Sequence, residues 1–274
     1  MDNAIEVIKK RVSVRTYSAD PVEKEKLDAI LQYAKDNAGN PFGASVRFAV
    51  LESEFTPNLG TYGFMKGAKV YLAGCVKKGG REIEGFGFEF ERAVLYATSL
   101  GIGTCWIGGL FTRGAFAAAL KPEDEYLPAI SPVGYAADKK SLIERAVAAG
   151  AGARKRKDAS QLFFEGDWKP LDASGALKTC LEMVRIGPSA SNKQPWRAIR
   201  TDSGLHFYMK ADKKYAGNTM FGYCIQRIDM GIAACHLYLA AKETGFEGEI
   251  TFDDPKLLSE QQIKEGYSYS FSWR

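Results

Sequence analysis

Histidine is nearly absent. The 274 residues hold two, His206 and His236. A histidine-rich metal site is therefore not expected, and a Ser-His-Asp hydrolase has few candidates for its base. Cysteine is sparse and scattered: Cys75, Cys105, Cys180, Cys224 and Cys235 are odd in number and form no CxxC. Neither a disulfide framework nor a thiolate zinc site is indicated, and a reducing compartment fits. No apolar run approaches the ~18 residues of a membrane span. The stretch MDNAIEVIKK is charged and amphipathic, without an apolar signal core. The cytoplasm is the expected location, with no membrane partner. A strong excess of one charge is also missing. The formal net charge of +4 does not by itself argue for nucleic acid.

What remains is an ordinary globular composition, 46% hydrophobic and 26% charged, long enough for one large domain or two smaller ones. Within it the chain repeats itself once. Leu27, Ile30, Leu31 and Ala34 sit at i, i+3, i+4 and i+7, one face of an amphipathic helix. Leu177, Cys180, Leu181 and Val184 have the same spacing 150 residues later. The strand-like runs VRFAVLE from Val46 and WRAIRT from Trp196 are again 150 apart. A second pair follows at an offset of 144. FGFEFERAVLYATSLG ends at Gly101 and MGIAACHLYLAAKETG ends at Gly245, each closing on a glycine as a helix C′ residue would. Further strand candidates are 69–76, 103–110, 131–137, 204–210 and 267–273. Helices and strands mix without strict βαβ alternation, which predicts an α+β layered fold. The expected division is a first copy over 1–165 and a shorter, degenerate second copy over 166–274, with 157–170 as the junction.

Each copy keeps one polar cluster and lacks the other. RVSVRTYS at 11–18 corresponds to QLFFEGDW at 161–168, where both arginines and the serine are gone. Conversely PSASNKQPW at 188–196 corresponds to AGNPFGASV at 38–46, which has no matched amide or Pro-Trp. The second cluster follows an apolar helix that Gly187 and Pro188 should end. It offers hydroxyls at Ser189 and Ser191 and amides at Asn192 and Gln194, suited to hydrogen-bonding a polar planar ligand. Two copies that once formed two sites across a two-fold interface would, after this loss, keep one complete site.

These residues carry a resemblance. Arg11-x-Ser13-x-Arg15 after a short N-terminal helix resembles the R-x-S-x-R of the flavin-dependent nitroreductase family, and PSASNKQPW resembles its P-S-S-x-N-x-Q-P-W. LYATSLGIGTCWIGGLF (95–111), PVGYAAD (132–138) and ARKRKD (153–158) resemble, in order, the family's central helix and flavin-edge loop, its late strand and its phosphate-binding tail. In ordinary members both polar motifs lie near the N-terminus and two chains share each flavin. Here they are about 170 residues apart, which resembles the tandem, fused-dimer subgroup of the family.

The resemblance implies a nitroreductase-like pseudo-dimer within one chain, for which a monomer suffices, with one FMN per chain. It places Arg11, Ser13, Arg154 and Arg156 at the phosphate, where arginine's planar fork meets oxygens bidentately. Arg15, with Lys66 as a second positive group, belongs to the pyrimidine edge, where a cation stabilises the anionic reduced flavin. Pro188, Ser189, Ala190, Ser191, Asn192 and Gln194 reach the flavin from the second copy. At Ile107, Gly108 and Gly109 a backbone N–H would face flavin N5, with glycine allowing close approach. The implied activity is ping-pong transfer of hydride from NAD(P)H to a nitroaromatic- or quinone-like small molecule. The main alternative is a flavin-binding sensor or carrier without efficient turnover. A nucleic-acid module built on Arg154-Lys155-Arg156-Lys157 lacks interleaved aromatics.

Overall fold

The computed structural model describes residues 2–56, 58–138, 155–213, 215 and 221–274. They divide into two compact units, Lys10–Arg154 on one hand and Met1–Lys9 with Lys155–Arg274 on the other. The units and the copies expected from the sequence are thus cut at different places. One reason is local: the Ile5 N–H, in helix α1 (Ala4–Lys10), donates to Glu243 at 3.0 Å.

The unit Lys10–Arg154 contains α2 (Lys24–Asp36), α3 (Glu82–Ser99) and α4 (Arg113–Leu120). The apolar spacing read for α2 is its buried face: Leu27, Ile30 and Ala34 are buried. Strands β1 (Val46–Glu52), β2 (Val70–Lys77), β3 (Gly103–Thr104) and β5 (Ile130–Gly134) run in the order β1-β2-β5-β3, with β4 (Glu125–Tyr126) also on β2. The Phe116 ring meets Tyr71 of β2 and Phe111 edge-to-face, each at 5.4 Å. Burying one such aromatic contributes about 1.5–3 kcal/mol. Helix α3 buries thirteen of its eighteen residues, glutamates 84, 89 and 91 among them. That all-round burial is the mark of a central helix. The run 103–110, expected as one strand, is paired only at Gly103–Thr104 and through a bridge of Ile107 with Ile130. Between them the Cys105 N–H goes to the Ser131 hydroxyl at 3.0 Å, a side chain of β5, instead of to that strand's backbone.

The other unit holds α5 (Gly175–Arg185), α6 (Gln226–Thr244) and α7 (Glu260–Lys264). Its six strands, β6 (Phe163–Glu165), β7 (Lys169–Pro170), β8 (Trp196–Thr201), β9 (Gly204–Lys210), β10 (Ile250–Thr251) and β11 (Tyr267–Trp273), run β10-β11-β9-β8-β6-β7. Residues 157–170, expected as a junction, supply β6 and β7, with β6 parallel to β8. Phe163 and Leu162 are buried there, so this segment belongs to the core. Gly101 and Gly245 follow α3 and α6 with φ of 77° and 69°, the left-handed C-terminal geometry that favours glycine.

Candidate functional site

The loop after α5 is bent more tightly than its sequence suggests. Ser191, Asn192 and Gln194 have φ of 46°, 54° and 48°. Asparagine tolerates this region, but the conformation costs an L-residue roughly 1–2 kcal/mol. The loop persists because its polar groups overdetermine it. The Gln194 N–H donates to Ser189 Oγ at 2.9 Å, and the Ala190 N–H to Asp229 Oδ1 at 3.0 Å. Gln194 is 3% exposed, and its amide serves the loop itself. Its Oε1 accepts the Lys157 N–H at 2.8 Å, and its Nε2 donates to Asn192 O at 3.1 Å and Oδ1 at 3.2 Å. Ser191 Oγ and Tyr215 OH are 2.7 Å apart. Pro188 is half-buried, and Trp196 wholly buried in the core.

The basic run is laced to this loop. Arg156 donates to Ile186 O from Nε (3.3 Å) and Nη2 (3.1 Å), and to Asn192 Oδ1 from Nη1 (3.1 Å). The Asn192 amide returns a bond to Lys155 O at 2.8 Å. The structure therefore brings Arg156, Ser189, Asn192 and Gln194 into one network. Arg154 lies outside the described residues. Asp229, 39 residues beyond Ala190 on α6, carries no motif or spacing that marks it in the sequence. Its carboxyl is held well above the usual carboxylate range, because burial disfavours charge more than the Ala190 bond favours it. Its Oδ2 is buried without a hydrogen-bond partner among the described residues.

The RVSVR segment, in the Lys10–Arg154 unit, is extended and stitched to its neighbours. The Val14 N–H donates to Thr104 O at 2.8 Å, Lys66 N–H to Arg15 O at 2.9 Å, and Tyr17 N–H to Lys66 O at 2.8 Å. Ser13, Arg15 and Lys66 are thus gathered near β3, with Ser13 and Arg15 half-buried and Lys66 exposed. Arg11 is turned inward. Its Nε lies 3.8 Å from Glu91 Oε1, while Glu91 Oε2 accepts the Trp106 indole N–H at 2.6 Å. One guanidinium nitrogen, Nη1, is buried without a partner among the described residues. At the expected N5 edge, the Ile107 N–H is already used by Ile130 O at 2.9 Å. Gly109 is exposed, and a side chain there would meet nothing within 4 Å. Both histidines have structural bonds: His236 Nδ1 to Met183 O at 2.8 Å, His206 Nδ1 to Ser272 Oγ at 2.7 Å. Among the described residues no group of three or more His, Cys, Asp or Glu could hold a metal ion. None of their helices is long and apolar enough to cross a membrane.

Residues 3–241 match the family described as "Putative TM nitroreductase". The chain belongs to this family. A solved structure from Thermotoga maritima, described as a "putative nitroreductase", is 22% identical and superposes with a TM-score of 0.62 over 92% of this chain and 89% of its own. That likeness establishes the nitroreductase α+β fold. A structure from Bacteroides thetaiotaomicron, described as a "Putative NADH dehydrogenase/NAD(P)H nitroreductase", is 22% identical (TM-score 0.43) and covers 52% of this chain and 90% of its own. An FMN-dependent nitroreductase from Clostridium difficile is 28% identical (TM-score 0.42) and covers 50% and 90%. No curated protein matches the sequence.

Proposed function

We propose that this nitroreductase-family chain is an FMN-dependent oxidoreductase that takes hydride from NAD(P)H and delivers two electrons to a nitroaromatic- or quinone-like acceptor. The observation that carries the reading is the strained, over-bonded loop 188–194 in a family member. Backbone strain of this kind persists where surrounding structure fixes it, and it clusters at ligand sites. The residues fit a flavin mononucleotide in kind. Arg11 Nη1 is a buried donor without a partner among the described residues, and Gly109 leaves room for a flat ring. Arg11, Ser13, Arg154 and Arg156 would hold the phosphate, with Arg15 and Lys66 at the pyrimidine edge. Pro188, Ser189, Ala190, Ser191 and Asn192 would border the ring, with Gln194 fixing their backbone. Because the Ile107 amide is spent on Ile130, the N5 edge falls to Gly108 and Gly109. Bound FMN supplies the hydride acceptor and the two-electron store. The protein supplies position and positive charge, and no side chain has to shuttle a proton.

We also propose that the chain is a tandem pair of nitroreductase copies, 1–165 and 166–274, a monomer sufficient with one FMN. The support is in the sequence, where each copy has lost the cluster that the other retains. The test is the visible spectrum of the purified protein, with released cofactor counted against protein. The expected result is one FMN per chain, bleached by anaerobic NADH or NADPH. Flavin that neither reductant bleaches would favour a sensor or carrier. Two flavins per chain would refute the complementary loss, and a colourless protein that FMN cannot reconstitute would refute the flavin reading.

A further inference from the structure

Beside the loop, cations outnumber the carboxylates facing them among the described residues. Lys157 is half-buried, and its Nζ donates to Lys193 O at 2.8 Å and Gln194 O at 3.4 Å. Arg197 on β8 is 8% exposed. Its Nη1 donates to the same Gln194 carbonyl at 3.0 Å and to Trp196 O at 2.6 Å. Two cations therefore share one carbonyl oxygen. Lys210, at the end of β9, lies over the Tyr267 ring at 4.7 Å, and the Tyr267 side chain also bonds Arg197. Among the described residues the carboxylate that acts on Lys157 is that of Asp212, and it also pairs with Lys193 Nζ at 2.8 Å. From α5, Arg185 donates to Lys157 O and is paired with Glu182.

Such a cluster is costly unless something answers it. Like charges a few ångströms apart in a partly desolvated site repel far more than at the surface. The strain shows at Lys157, where burial, then Arg197, Lys210 and Lys193, push the ammonium down to about 8. Backbone carbonyls orient the donors but carry no net charge. Arg156 next door is turned to Ile186 O and Asn192 Oδ1; none of Lys157, Arg197 and Lys210 is among the residues assigned to FMN, although Gln194 is bonded to the first two.

We propose that Lys157, Arg197 and Lys210, with Lys193 at the rim, form a binding site for a small phosphate-bearing anion, distinct from the flavin phosphate. Phosphate suits the set because two ammonium point charges and a guanidinium can each meet a separate oxygen. Binding brings its proton with it, since an anion restores full protonation of Lys157.

The test is isothermal titration of the protein as purified with pyrophosphate and, separately, ADP, at pH 8 and low ionic strength, in buffers of different ionisation heat. Pyrophosphate is expected to bind with net proton uptake at pH 8, since burial and the neighbouring cations push the Lys157 ammonium down to about 8. Lys210→Met should weaken binding at least about tenfold, the scale of one charge-assisted contact, with flavin content unchanged. Lys157→Met should abolish the proton uptake. ADP binding as tightly as pyrophosphate identifies a nucleotide as the source of the phosphate, and weaker ADP binding a free oxyanion. The proposal is overturned if pyrophosphate does not bind, or if it binds equally to wild type and Lys210→Met, which marks an adventitious ion only. Flavin loss in Lys210→Met with unchanged pyrophosphate affinity would overturn the separation from the flavin phosphate.

Discussion

Asp229 offers a test of the loop in which a nominally disruptive change stabilises the protein. Its carboxyl holds the Ala190 N–H through Oδ1 at 3.0 Å, and its Oδ2 has no partner among the described residues. Burial raises its affinity for protons above the unfolded chain's, which corresponds to a carboxyl of 3.8. The native state therefore binds more protons than the unfolded state at any pH between those two values. Stability is full below about 4 and falls as pH rises toward the raised value. The slope is at most about 1.4 kcal/mol per pH unit for one such group. Asp229→Asn keeps the acceptor at Oδ1 and nearly the same volume but cannot ionise. It should match wild type at pH 4 and exceed it at pH 8. Asp229→Ala removes the acceptor and should cost about 1–3 kcal/mol at pH 4, the price of leaving a buried N–H unsatisfied. Urea denaturation from pH 4 to 8, analysed at constant m, reads all three. If the Asn variant and wild type run parallel across that range, Asp229 is not protonated by burial and the account of the loop's anchor is wrong.

Gly85 reverses the usual rule for helices. Alanine normally beats glycine inside a helix by about 0.5–1 kcal/mol, but here a Cβ would stand 2.3 Å from Ala44 Cβ and 2.7 Å from Asn40 Oδ1. Overpacking of about 1–3 kcal/mol wins, so Gly85→Ala should lower the urea midpoint. Gln194→Ala removes the acceptor of the Lys157 N–H and one of the donors to Asn192. It should cost about 1–3 kcal/mol per buried group left unpaired and release bound flavin, measured as cofactor retained after gel filtration. Burial pushes the Cys75 thiol up to about 11, and four of the five cysteines are buried. At pH 8 only the half-buried Cys224 should react readily with a disulfide reagent, and all five after unfolding; fast reaction of Cys75 in the native protein would refute its burial.

The elements with a strong local period were legible. Runs 46–52, 204–210 and 267–273 were read as strands with the bounds they have, and the helical faces at Leu27 and Leu177 are the buried ones. What failed were segments whose state is decided by a distant partner. The run 103–110 is rich in strand formers, yet Ser131 Oγ takes the Cys105 amide and ends the ladder. Residues 157–170 read as a junction, because a three-residue strand such as β6 has too few positions to show a period. The polar residues of the site were legible as a set but not as individuals. Nothing in PSASNKQPW distinguishes a glutamine that faces a ligand from one that braces the loop.

That distinction bears on how the two clusters differ. At loop 188–194 the most buried polar residues, Gln194 within it and Asp229 holding the Ala190 N–H from α6, are brace rather than contact. Ser191 and Asn192 keep more exposure. In RVSVR the burial runs the other way: Arg11, the residue expected to meet a phosphate, is the buried one, and Glu91 already offsets its charge. A buried arginine beside a carboxylate attracts a dianion less than a free one, since part of its field is cancelled at short range. The Trp106 indole bond to Glu91 then gains a role. By donating to one carboxylate oxygen it draws charge away from the Arg11 side and leaves Nη1 as the donor still available. Trp106→Phe should return that charge to Arg11 and weaken FMN binding by a few-fold to about tenfold, the worth of one hydrogen bond to a charged group, without touching any residue of loop 188–194. Equal FMN affinity in wild type and Trp106→Phe, by fluorescence titration of the flavin-free protein, would show that Arg11 serves the fold of its own unit and leave the phosphate to Ser13, Arg154 and Arg156.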